Sequence, residues 1–181
     1  LTRSSAASDV YKRQAVSNTY TLNTAYGSGM VPTGTGILMN NEMDDFSIKP
    51  GFPNIYGLIG SEANKIEPKK TPLSSMTPLI VFKQDRPFLI SGSPGGSTII
   101  TSVLQEVLNV LDFNMSLKES SSKSRIHFQH LPDILFHEKL DNDVLVSLKD
   151  YKRLIGRNLG ELHSILVLSL IHISEPTRPI D

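Results

Sequence analysis

The chain has 181 residues and a mass of 20.0 kDa, with 18 basic and 18 acidic side chains and no cysteine. That length suits one domain with a single core. The balanced charge argues against the basic excess of a nucleic-acid binder, and the lack of cysteine excludes disulfides, thiolate catalysis and cysteine-based zinc sites. With 39% hydrophobic and 20% charged residues the composition is that of a globular protein. No apolar run approaches the roughly 18 residues of a membrane span.

In chain order, the first segment has an unusual relation to the last. Asp9-Val10-Tyr11-Lys12-Arg13-Gln14 can be encoded by DNA whose reverse complement reads Leu-Ser-Leu-Ile-His-Ile, the residues at Leu168 to Ile173. The strings SSAASDVYKRQ and LSLIHISEPTR look like translated sequencing adapters, so residues 1–14 and 168–181 are set apart as adapter-derived and expected to pack poorly. Residues 15–167, with 14 basic and 15 acidic side chains, are expected to be an internal piece of a longer gene.

Val16 to Leu22 alternates β-formers and predicts a strand. Ile37-Leu38-Met39 predicts a short buried strand, and Lys49 to Gly60, with two prolines and three glycines, predicts a long surface loop. Leu79 to Phe82 and Phe88 to Ser91 flank the five-residue turn KQDRP and predict a hairpin. Ile100, Val103, Leu104, Val107, Leu108 and Leu111 follow helical spacing and predict an amphipathic helix capped by Ser97 or Thr98. Ser116 and Glu119 predict a capping box on a second helix. Ile134 to His137 predicts a strand, Asn142 to Ile155 a third helix stopped by Gly156, and Leu162 to Val167 a closing strand. Strands followed by long helices predict an α+β or layered α/β sandwich.

Four constellations carry chemistry. Ser91-Gly92-Ser93-Pro94-Gly95-Gly96-Ser97 leads into the strongest helix. Its glycines permit close approach and leave N–H groups free, so it suits an oxyanion or phosphate cradle, or simply a tight turn. It is not a Walker motif. Asn40 to Phe46 (NNEMDDF) clusters three carboxylates that could hold an ammonium group or a metal, or form a solvated acidic turn. Ser74 and Ser75 could donate to a carboxylate, or sit in a serine-rich turn. His127, His130 and His137 with Asp133 suggest a metal only on paper. His127 and His130 are expected on a strand, where residues three apart face opposite sides. No metal or cofactor is expected.

Taken in order, TYTLN (19–23), GSG (27–29), GILMNNEMDDFS (36–47), PLSSM (72–76), SGSPGGS (91–97) and RIHFQHLPD (125–133) resemble the small subunit of γ-glutamyltranspeptidases, over essentially all of residues 15–167. The resemblance implies the αββα sandwich of N-terminal-nucleophile hydrolases, here in its small-subunit portion. It implies a precursor that cuts itself into two subunits, and a threonine that takes the γ-glutamyl group of glutathione and passes it to water, an amino acid or a peptide. It implies that Asn23, Glu42 and Asp45 hold the donor's ammonium and that Ser74 and Ser75 hold its carboxylate. Gly95 and Gly96 would serve the oxyanion, Thr21 would tune the nucleophile, and Tyr56 would be a gate. Counting back from Thr21 by the family's spacing lands on Arg3, so no residue here matches the nucleophile and the fragment alone is expected to be inactive. A large-subunit partner and a periplasmic or extracellular setting are also implied; no export signal is visible in an N-terminus that is not native. The alternatives are a cephalosporin-type acylase, which needs no ammonium clamp, and a non-catalytic module that binds anions through SPGGS.

Overall fold

A computed structural model describes residues 3–9, 14–156 and 158–168. Among the described residues eight strands form three small sheets. β1 (Arg3–Asp9) pairs antiparallel with β2 (Gln14–Tyr20). β3 (Leu79–Lys83), β4 (Arg86–Ser91) and β8 (Ile165–Leu166) form an antiparallel sheet in the order β3-β4-β8. β5 (Ile126–His127), β6 (Leu135–His137) and β7 (Arg153–Ile155) form the third. The helices are α1 (Ile99–Leu111), α2 (Leu117–Ser122) and α3 (Asn142–Ser147).

The core lies on β4. Leu89 and Ile90 are consecutive in that strand and point to opposite faces, yet both are fully buried, so both faces are covered. Leu89 packs with Val110 of α1, Leu117 of α2 and Leu166 of β8. β2 is tied to the same sheet by one hydroxyl: Ser17 Oγ donates to Ser91 O at 2.7 Å and accepts from Leu79 N at 3.2 Å. That bond brings the end of β2, and with it Thr21 and Asn23, beside the loop that leaves β4.

Several sequence expectations are corrected here. The β3–β4 turn is two residues, not five: Gln84 and Asp85 both have positive φ, 51° and 59°, and Lys83 pairs with Arg86. A two-residue turn of this hand matches strand twist, which a longer loop would not need to do. Ile37 and Met39 form no strand and are 61% and 42% exposed; no neighbouring strand offers them a ladder. The helix expected over 142–155 ends at Ser147. Residues 153–155 instead join β6 in parallel, because an unpaired strand edge satisfies their backbone while Val144, Tyr151 and Ile155 find no core to pack against. Residues 3–9 pair along their length with β2.

α1 is present but turned from its expected face. Its buried residues are Ile99, Ser102, Val103, Glu106 and Val110, while Ile100, Leu104, Leu108 and Leu111 are exposed. The inward polar atoms are bonded except Glu106 Oε1, which is buried and lacks a partner among the described residues. Ser102 Oγ donates to Leu159 O, and Glu106 Oε2 accepts from Ser91 Oγ and, at 2.7 Å, from Ser164 Oγ. Burial raises the pKa of the Glu106 carboxyl, and the two serines and Arg125 oppose that rise. Thr98 precedes α1 without a side-chain cap, whereas Ser116 and Glu119 make the expected capping box on α2.

Candidate active site

The loop from Ser91 to Thr98 is anchored on both sides. Ser91, Gly92 and Ser93 are buried. Gly92 O accepts from His163 N at 2.9 Å, and Ser93 Oγ accepts from Glu161 N at 3.0 Å. Gly95 and Gly96 then have φ of 141° and 58°, values that disfavour any L side chain. A Cβ on Gly96 would sit 2.5 Å from Tyr56 Cε1, so the tyrosine ring lies directly on the glycine backbone. Among the described residues neither glycine N–H has an acceptor. Free donors just before α1 can stabilise an anion.

The acidic motif is a single 3₁₀ turn, Glu42–Asp45, rather than the end of a strand. The tight turn sets the Glu42 and Asp45 carboxyls against each other. Burial, followed by the Asp45 charge, raises the Glu42 pKa to about 7. Burial also raises Asp45, opposed by hydrogen bonds from Ser75 and Glu42. Two acids this close titrate as a pair. Glu42 Oε1 is buried and lacks a partner among the described residues. Ser75 Oγ donates to Asp45 Oδ2 at 3.2 Å, and Asn64 Nδ2 donates to Asp45 O at 2.7 Å while Asn64 Oδ1 accepts from Leu73 N at 3.1 Å. Asn64 thus staples the acidic turn to the Leu73–Ser75 segment. No sequence signal marks it.

A cavity of about 670 Å³ lies between these parts and is lined, among others, by Asp45, Tyr56, Ser74, Ser75 and Gly96. The remaining candidates do not line it; Asn23, Glu42 and Gly95 each touch or adjoin a residue that does, and Thr21 is one step further away, bonded to Asn23. Asn23 is buried, and its carbonyl accepts from Tyr56 Oη at 3.0 Å. Thr21 Oγ1 accepts from Asn23 N at 2.8 Å. Glu42 lies against Asp45. Gly95 is exposed beside Gly96, its own Cβ position facing Thr98 and Gly160. Tyr56 remains a phenol, since burial and the charges of Asp45, Asp44 and Glu42 all raise its pKa. Among the described histidines only His127 lines the cavity. His127 is buried and hydrogen-bonded to Thr101 and Gln129, His137 Nδ1 meets Glu138 O at 2.7 Å, and His130 lies in a turn with φ of 72° rather than on a strand. Among the described residues no group of three His, Asp or Glu side chains could hold a metal. One cavity is therefore lined by the Asp45 carboxyl, the Ser74 and Ser75 hydroxyls and Gly96, with Glu42 against Asp45 and Gly95 next to Gly96.

The fold is that of the N-terminal-nucleophile hydrolases; it is shared with cephalosporin acylase from Bacillus halodurans at a TM-score of 0.68 and 22% identity, over 81% of this chain and 26% of that one. Within that class the chain belongs to the γ-glutamyltranspeptidase family, whose model matches residues 6–170. It is similar to a mutant of Helicobacter pylori γ-glutamyltranspeptidase (TM-score 0.87, 50% identity, 91% of this chain and 90% of that one). It is also 49% identical over 156 residues to a glutathione hydrolase proenzyme of Escherichia coli, covering 84% of this chain and 27% of that protein. The chain thus spans about a quarter of the length of the curated relatives it matches. Among the described residues no helix is long and apolar enough to cross a membrane.

Proposed function

We propose that the protein to which this chain belongs transfers the γ-glutamyl group of glutathione and related amides to water, amino acids or peptides. The observation that carries the reading is the Glu42–Asp45 carboxyl pair in contact with Ser75, which lines one cavity with Gly96. A γ-glutamyl donor carries an ammonium and a carboxylate on one carbon, and such a pair beside Ser74 and Ser75 fits both. Asn23 completes the ammonium site, and Arg from a partner subunit would complete the carboxylate site by family resemblance. The nucleophile is a threonine exposed by precursor cleavage. Its Oγ attacks the amide carbonyl, the oxyanion rests on the Gly95 and Gly96 N–H groups, and the amine departs with the proton. Water or an acceptor amine then releases the acyl group. Thr21, bonded to the Asn23 backbone, orients the nucleophile, and Tyr56 closes the cavity. The proenzyme name of the E. coli relative supports a processed precursor with a second subunit. The exposed apolar stripe of Ile100, Leu104, Leu108 and Leu111 supports a partner packed on α1. The resemblance to exported bacterial enzymes supports a periplasmic or extracellular setting.

The test compares two anilides on the full-length, processed gene product. γ-Glutamyl-4-nitroanilide should be cleaved at least about 10-fold more efficiently than its glutaryl analogue, which lacks the ammonium, since a hydrogen bond to a charged group contributes about 1.5–3 kcal/mol. Equal rates would favour the acylase reading, and no cleavage of either would favour a binding module.

The carboxyl pair also sets a pH dependence. Glu42 must ionise to accept the ammonium, and its pKa is about 7. Donor binding therefore releases a proton below that value, and KM should rise by up to about tenfold per pH unit as the pH falls below 7. The free protein behaves oppositely: a raised carboxyl pKa favours the fold while the group is protonated, and that contribution fades from pH 4.5 up through 7. Measuring KM from pH 5 to 8 for wild type and Glu42→Gln checks the assignment, because the variant should lose this acid limb.

A further inference from the structure

Tyr56 is held at its hydroxyl by Asn23 O, and its ring lies over Gly96. The turn that carries it is built on Asn54. Asn54 Oδ1 accepts from Tyr56 N and Leu58 N, both at 3.0 Å, and Asn54 O accepts from Gly57 N at 2.9 Å. Those bonds shape the turn but do not fasten it to the body of the protein. On the backbone side Ile55 N donates to Asp44 Oδ2 at 3.4 Å, and the shorter link to Tyr56 itself comes from Gln129, whose Nε2 donates to Tyr56 O at 3.1 Å and to Leu131 O at 2.9 Å.

The orientation of this carboxamide is determined by its neighbours. Its nitrogen faces two carbonyl oxygens, which can only accept, so the flipped amide would place three oxygens together. Gln129 Oε1 must then face His127 Nε2, 3.0 Å away. An amide oxygen can only accept, so Nε2 carries the proton. The other ring nitrogen, Nδ1, lies 2.9 Å from the Thr101 hydroxyl, which also donates to Thr98 O at 3.0 Å. Thr101 stands in the first turn of α1, directly after the SPGGS loop, and His127 is buried. A chain of side chains thus runs from the start of α1 through Thr101, His127 and Gln129 to the carbonyl of Tyr56.

We infer that Gln129 is a positioning residue for Tyr56: its carboxamide, oriented by His127, clamps the tyrosine backbone so that the ring stays over Gly96 and the cavity stays closed. The kinetic part of this inference rests on the proposed γ-glutamyl activity. Gln129 and His127 line the same cavity as Asp45 but bond to neither carboxyl, so the clamp acts on how often the closed form is populated. Apparent affinity scales with that fraction. Loss of the clamp therefore raises KM and leaves kcat nearly unchanged.

The experiment uses Gln129→Leu and Gln129→Glu in the full-length processed enzyme. Gln129→Leu keeps most of the volume and removes both donations. Gln129→Glu is isosteric and turns a carboxylate toward two carbonyls, which keeps the test available if the leucine variant fails to fold. Hydrogen exchange at the Tyr56, Gly57 and Leu58 amides should speed up about fivefold, and KM for γ-glutamyl-4-nitroanilide should rise by a similar factor, as expected for one lost hydrogen bond. Melting temperature and kcat should hold, kcat within about twofold. Unchanged exchange in a folded variant overturns the clamp. So does a fall in kcat at constant KM, which would place Gln129 in the chemistry or in general stability instead. If the wild-type enzyme cleaves no γ-glutamyl anilide, the proposed activity fails, while the exchange measurement still decides the clamp.

Discussion

Replacing Gly96 with alanine should lower kcat for γ-glutamyl-4-nitroanilide by about 10²–10³, the usual loss when one oxyanion donor is removed from its place. The substitution keeps the N–H, so the effect comes from displacement. At φ of 58° an L residue is strained by about 1–2 kcal/mol. The new methyl would lie 2.5 Å from Tyr56 Cε1 and 2.8 Å from Cδ1, and neither ring nor backbone can stay where it is. If the backbone yields, the donor leaves the oxyanion. If the ring yields, the Tyr56 hydroxyl loses Asn23 O and the cavity opens, which raises KM. The control is Gly29→Ala, in a loop where φ is 70° but nothing lies within 4 Å of the added Cβ. It carries the same backbone strain without the collision, so its kcat should remain within about twofold. A Gly96→Ala enzyme with normal kcat and KM would show that this N–H does not face the reacting carbonyl.

The second large effect is expected at Asp45. Asp45→Asn should reduce kcat/KM for the γ-glutamyl anilide by about 10–100-fold, the value of a hydrogen bond to a charged group. It should leave the glutaryl anilide nearly unaffected, because that substrate has no ammonium to hold. The selectivity between the two anilides is therefore the informative readout, and a general loss of folding cannot imitate it. The substitution also removes the negative charge that helps raise Glu42, so the acid limb of the KM profile should move to lower pH. Equal losses on both substrates would mean that Asp45 supports the turn instead of binding the donor. Asn64 Nδ2, which holds the Asp45 backbone carbonyl, keeps the turn shape in the variant and makes the comparison clean.

Much of this molecule could be read along the chain because local chemistry dictates it. Ser116 and Glu119 made their capping box, the strand expected over 16–22 formed two residues earlier over 14–20, and Lys49 to Gly60 stayed a loop, all from spacing and residue type within a few positions. The site motifs, each of which alone also suits an ordinary turn, pointed to a site only through their order along the chain, which resembles one family. Other features depended on contacts distant in sequence. The periodicity of α1 marked a helix but not its inward face. Glu106 and Ser102 turned inward because Ser91, Ser164 and Leu159 lie there to bond them, and the more apolar stripe was left outside. Residues 153–155 became a strand because β6 offered an open edge, a fact no window around Tyr151 contains. Gln129 and Asn64 carry no signal in their neighbourhoods, since a lone amide gains meaning only from the carbonyls that face it. Sequence determined the kinds of groups available and the turns that present them; tertiary structure decided which groups meet, because burial and hydrogen-bond satisfaction are settled between segments rather than within them.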